Sequence, residues 1–153
     1  MPTREESDLQ EQAERALREG RPAEALGCYR RLLNNVRALG GVYEKWLAGM
    51  LAACRELGKR HMGGILLLAL RRFDEAQRCF DPTSSPYEWA LCAEVLGRFQ
   101  DAAAVFRTAG LPASAAMALE RAGDAQGAVV EWRASLGHER LRGHPYEKAL
   151  VHF

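Results

Sequence analysis

The sequence predicts an all-α solenoid, a row of short helix-turn-helix hairpins stacked one on the next. Three observations point there. The stretch from Pro86 to Leu136 superposes on itself after a shift of 26 residues, which aligns Ala90 with Ala116, Glu94 with Glu120, Gly97 with Gly123, Ala102 with Ala128 and Phe106 with Trp132. Leu70, Phe73, Ala76 and Phe80 fall in the same register as Leu96, Phe99, Ala102 and Phe106, so the period runs through three units. Near the N-terminus, Ala25 and Tyr29 stand five and nine residues after Gly20, as Ala102 and Phe106 stand after Gly97. Periods of this order mark stacked helical arrays, which mostly serve as binding scaffolds.

The residue types follow from packing. A short helix buries too little surface alone. Alanines such as Ala90, Ala102, Ala116 and Ala128 let helix axes approach closely, while Phe80, Phe106 and Trp132 fill the gaps between neighbours.

Residues 1–6 are expected to be disordered, and an amphipathic helix is expected from about Ser7 to Glu19. Gly20-Arg21-Pro22 then supplies a stop and a proline suited to the first turn of the next helix. Between Gly41 and Gly58 a longer helix carries Tyr43, Trp46, Leu47, Met50, Leu51 and Cys54 on one broad apolar face. The hairpin after it, "RHMGGILLLALRRFDEAQRCF", opens on a Leu-rich helix that is nearly apolar all round and is therefore expected to be central. Asp81-Pro82-Thr83-Ser84 reads as a turn. Ser85-Pro86-Tyr87-Glu88 reads as a capping box with proline at the first helical position.

"VYEKWL" from Val42, "PYEWAL" from Pro86 and "PYEKAL" from Pro145 look like three copies of one helix opening. After Pro145 only eight residues remain. Residues 7–153 are thus read as a single domain forming the N-terminal part of a longer array. Its last helix would leave Tyr146, Leu150 and Phe153 to be covered by further units or by self-association with another chain.

Small residue, turn glycine, aromatic, alanine, aromatic recur as Ala90, Gly97, Phe99, Ala102 and Phe106, and this pattern resembles the tetratricopeptide repeat. The unit around Gly123 keeps Ala116, Ala128 and Trp132 with Ala125 at the first aromatic position; one unit earlier Arg71 replaces the turn glycine. The resemblance covers most of Ser7 to Leu136, with a period shorter than the roughly 34 residues of that family. It implies a right-handed solenoid of about five hairpins, in which the first helix of each unit lines an inner groove. That face would carry Gln10, Glu14 and Arg18, then Tyr87, Leu91 and Glu94, then Met117, Glu120 and Arg121. As a partner-binding groove it would hold an extended or helical segment of a protein, with Glu94 and Glu120 meeting basic side chains; the plainer alternative is a solvated helix face. The lysine and asparagine set with which some members hold a C-terminal carboxylate is missing.

Composition narrows the remaining classes. The chain is 48% apolar and 27% charged with a net charge of +1, the balance of a folded globular protein. Lys and Arg number 14 against 11 Asp and Glu up to Phe80, and 7 against 9 thereafter, so neither half carries the basic field that nucleic-acid binding requires. Lysine occurs only at Lys45, Lys59 and Lys148 beside abundant arginine and alanine, which suggests a bacterial source. Cys28, Cys54, Cys79 and Cys92 never form Cys-x-x-Cys and are expected as small apolar residues. The charged N-terminus has no signal-peptide core, and the apolar run Ile65–Leu70 is too short to span a membrane, so a cytoplasmic protein with no membrane association is expected.

Catalytic and cofactor signals are weak. No phosphate-binding glycine fingerprint occurs, and Gly63-Gly64 reads as a close-packing site. His138-Glu139 begins a zinc-protease pattern that Arg142 breaks, and His138, His144 and His152 lack Cys or carboxylate at ligand spacing. No cysteine has an identifiable base. Lys59, Arg60, His61, Arg71, Arg72 and Arg78 form the densest basic cluster, which would suit an acidic segment or a phosphorylated group, or would simply be the wet side of a hairpin. The reading is therefore a non-enzymatic adaptor without cofactor or metal, binding a protein or peptide. The alternatives are a regulatory sensor for a small ligand or signalling peptide, or the regulatory part of a larger enzyme.

Overall fold

The computed structural model describes residues 2–34 and 41–137, and within them every regular element is a helix. The order is α1 (Arg4–Arg18), α2 (Pro22–Asn34), α3 (Gly41–Glu56), α4 (Arg60–Ala69), α5 (Phe73–Cys79), α6 (Pro86–Val95), α7 (Phe99–Thr108), α8 (Pro112–Arg121) and α9 (Ala125–Leu136). The chain falls into two compact units, Met1–Cys79 and Phe80–Phe153. In the first unit α1 packs on α2, α2 on α3, α3 on α4 and α4 on α5; in the second, α6 packs on α7, α7 on α8 and α8 on α9. The helix opening at Pro145, the apolar residues Tyr146, Leu150 and Phe153, and the histidines 138, 144 and 152 lie outside the described residues.

One turn design joins six pairs of successive helices. A single residue enters the left-handed region at Gly20, Gly58, Arg71, Gly97, Gly110 and Gly123. In each case its amide and the next one close back on the preceding helix: Gly97 N bonds Glu94 O at 3.0 Å and Arg98 N bonds Ala93 O at 2.8 Å, and Arg71 N and Arg72 N bond Leu68 O and Leu67 O at 3.0 and 2.9 Å. These are Schellman closures, which satisfy carbonyls that a helix end leaves open. The residue after the left-handed one is already the N-cap of the next helix, as at Lys59, Arg98, Leu111 and Asp124.

The small and large positions expected after Gly20 and Gly97 recur after every one of these junctions. Five residues on stand Ala25, Gly63, Ala76, Ala102, Ala115 and Ala128, all buried; nine residues on stand Tyr29, Leu67, Phe80, Phe106 and Leu119, buried, and the half-buried Trp132. Gly97, Gly110 and Gly123 stand 13 residues apart, as do Gly58 and Arg71. The 26-residue period thus resolves into two 13-residue steps, each one ten-residue helix and one turn. In the second unit Ala102, Phe106, Ala115, Leu119 and Ala128 from these positions join Ala90, Ala93, Ala103 and Ala118 in one core, with Trp89, Val105 and Trp132 against it.

Three local expectations change. The first helix begins at Arg4, within the segment expected to be disordered, because Thr3 forms a capping box: Glu6 N donates to Thr3 Oγ1 at 3.1 Å and Thr3 N donates to Glu6 Oε2 at 2.7 Å. At Ser85 the helix does start at Pro86, yet the serine side chain makes no cap hydrogen bond. Asp81 organises that entry instead, accepting from Thr83 N at 2.6 Å and Ser84 N at 3.4 Å, while its carbonyl accepts from Ser85 N at 2.7 Å. Finally, α4 is not enclosed on all sides. It packs on α3 and α5, burying Leu66 and Leu67 but leaving Ile65 43% exposed.

On α3 the broad apolar face forms as expected: Trp46, Leu47, Met50, Leu51 and Cys54 are buried and Tyr43 is half-buried. Cys28, Cys54 and Cys92 are buried thiols and Cys79 is partly exposed.

Candidate functional site

The nine residues expected to line a groove fall into two local settings. In the first unit, Trp46 Nε1 donates to Gln10 Oε1 at 2.9 Å, and Gln10 Nε2 donates to Glu14 Oε1 at 3.0 Å. Lys45 Nζ reaches the same Glu14 oxygen at 3.5 Å. This relay ties α1 to α3. The Gln10 hydrogen bond holds the Glu14 carboxyl below the usual carboxylate range, against the opposing effect of burial and with help from the Lys45 and Arg18 charges. Arg18 is exposed. Gln10 and Glu14 therefore serve helix packing, and Arg18 alone of the three faces solvent freely.

In the second unit Glu94 of α6 meets Arg121 of α8 at 3.1 Å, with the glutamate side chain only 13% exposed. Glu120 accepts from Trp132 Nε1 at 2.7 Å, tying α8 to α9. Both carboxylates that would meet a basic partner already have internal partners. The apolar members stay open: Tyr87 is 56% and Met117 45% exposed, and Leu91 is half-buried. Tyr87 is steadied by an edge-on contact with Phe106, centroids 6.1 Å apart at 61°. The fixed pairs thus leave two helices tied together with a tyrosine and a methionine projecting.

The basic cluster is likewise divided. Arg72 forks onto Glu75 at 2.7 to 2.9 Å and Arg78 pairs with Asp74 at 3.0 Å. Arg60 donates to the Arg78 carbonyl, and Arg71 occupies the left-handed turn position. Sequence reasoning missed Glu131, a carboxylate 6% exposed on α9 that pairs with Arg107 of α7. Its signal was present: in the 26-residue register Glu131 stands where the preceding unit has Val105.

Among the described residues no group of three His, Cys, Asp or Glu side chains could hold a metal ion, and no helix is long and apolar enough to cross a membrane. Burial raises the thiol pKa of Cys28 and Cys54, which disfavours the nucleophilic thiolate at both. Compared with known proteins, the chain matches no protein-family model, no curated sequence and no solved structure.

Proposed function

We propose that this chain is a non-enzymatic interaction scaffold of the tetratricopeptide-like kind, whose second unit seats an extended segment of a partner protein across α6 and α8. The reading rests on one observation. Tyr87 and Met117 remain exposed on two helices that both pack on α7 and that the Glu94–Arg121 pair links. A surface ordered before binding loses little conformational freedom on association, and aromatic and methionine side chains are favoured anchors at such contacts. Glu94 and Glu120 act as the frame of the surface and Tyr87, Leu91 and Met117 as its seats, with exposed Arg121 at the edge. The α1 face with Gln10, Glu14 and Arg18 contributes less, because two of those side chains serve packing. A small-ligand sensor, the alternative reading, would draw instead on the pocket of about 420 Å³ lined by Pro82, Thr83, Pro86 and Val105 or on that of about 340 Å³ lined by Phe99, Asp101 and Arg121. Cysteines that never form Cys-x-x-Cys and an arginine- and alanine-rich composition favour a bacterial cytoplasmic setting.

The test is an affinity capture from the native host with the wild type, a Tyr87→Ala/Met117→Ala variant and an Ile65→Ala control. Partners held by the wild type and the control but lost from the double variant support the surface. Partners retained by all three remove it.

A further inference from the structure

At the junction after Gly58 the chain departs from the pattern of the others in two side chains, and a pocket lies there. Two residues after the left-handed position the other junctions place an apolar residue, Pro22, Phe73, Phe99, Pro112 or Ala125; after Gly58 that position is Arg60. Five residues after it the others place alanine; here it is Gly63. Contrary to its expected role in close packing, Gly63 is not required by its neighbours, since a Cβ on it would meet only Leu51 Cδ1 at an ordinary 3.7 Å. A helix-interior glycine weakens its helix and leaves its backbone open to close approach. The space it leaves belongs to a pocket of about 310 Å³ within the first unit, formed by α3, α4 and α5. Leu51, Cys54, Gly63 and Leu67 form an apolar floor; Arg55, Lys59 and Arg60 stand on the rim, and Cys79 closes one side.

We infer that this pocket binds an aliphatic monocarboxylate, its chain on the Leu51–Leu67 floor and its carboxylate between Lys59 and Arg60. The volume sits at the small end of ligand sites and suits a short chain rather than a folded cofactor. Charge fixes the other end. Arg55 is already opposed by Glu75 at 3.4 Å, and Arg60 spends one N–H on the Arg78 carbonyl while keeping others free to donate. Two cations on a short rim match a single carboxylate, with guanidinium supplying directed donors and ammonium a point charge. The site uses no residue of the α6–α8 surface and stands or falls independently of it.

Octanoate is the probe, titrated calorimetrically into the full chain beside hexanoate and octan-1-ol. Affinity is expected to rise about three- to fourfold for each added methylene, as burial of that group predicts, and the alcohol is expected to bind about tenfold or more weakly than the acid. Octanoate should also slow alkylation of Cys79 by iodoacetamide, the other three cysteines being buried. Gly63→Leu fills the floor and should abolish binding. Lys59→Ala/Arg60→Ala should weaken octanoate about tenfold and leave octan-1-ol unchanged; it decides the matter if the leucine variant does not fold. Equal affinity for acid and alcohol, absence of chain-length dependence, or unaltered Cys79 alkylation at saturating octanoate would overturn the assignment.

Discussion

The Tyr29 ring of α2 fills the place that a side chain at Gly49 of α3 would occupy. A Cβ there would collide with the ring carbons and the hydroxyl, and Tyr29 itself is only 3% exposed. The aromatic wedge therefore requires a missing side chain opposite it. Gly49→Ala is expected to destabilise the protein by about 1–3 kcal/mol through overpacking, despite the better helix propensity of alanine. Urea unfolding followed by circular dichroism reads the change; an unchanged midpoint would show that the ring can move aside at no cost.

The junctions allow a paired experiment of opposite sign. At Gly97 no atom beyond the flanking residues stands within 4 Å of the position a Cβ would take, so backbone strain is what opposes a side chain there. Gly97→Ala is expected to cost about 1 kcal/mol, whereas Arg71→Gly, at φ 59°, is expected to gain a similar amount. Thermal melts of the two variants should move in opposite directions.

Glu131 and Arg107 are expected to be coupled. Removing the arginine leaves a carboxylate buried without its counter-ion, so Arg107→Ala should cost about 1–3 kcal/mol. Replacing both, as Arg107→Leu/Glu131→Val, restores the apolar pattern that Val105 shows one unit earlier and should cost less than the single change. A double-mutant cycle on unfolding free energies measures this; strictly additive losses would show the pair to be independent.

Glu14 makes stability depend on acid. Its carboxyl is held low in the folded state, so it stabilises above the unfolded-state pKa, and that contribution is lost as pH falls through the folded value. The group is partly exposed, 35% by side chain, so the effect should stay under about 1 kcal/mol. Glu14→Gln should flatten the acid limb of urea midpoints measured below the normal carboxylate range while leaving the neutral region nearly unchanged.

Backbone-local features were the legible ones. A left-handed turn favours glycine and a close helix contact favours alanine, so Gly20, Gly97, Gly123 and the alanines five residues on announce themselves in one dimension. The 13-residue step was less visible because Leu119 and Leu67 take the large position where other units have aromatic rings, which hides one helix within each apparent pair. The capping box illustrates a local tie: Thr3 and Ser85 share the same spacing to a glutamate, and Asp81 organises the turn before the second. The groove residues could not be sorted from sequence, since their partners lie far along the chain. Trp46 is 36 residues from Gln10 and Arg121 is 27 from Glu94, and no periodicity separates an acid that faces solvent from one that faces an arginine.

The three-residue junction also governs how such a chain can change length. Because the residue that completes one helix end already begins the next, no slack exists to absorb a stray insertion, and one extra residue at Gly110-Leu111 would swing every later side chain by about 100° around its axis. Loss or gain of a whole helix with its turn preserves each neighbour's facing. Growth within each run of such junctions, in evolution or by design, is therefore quantised.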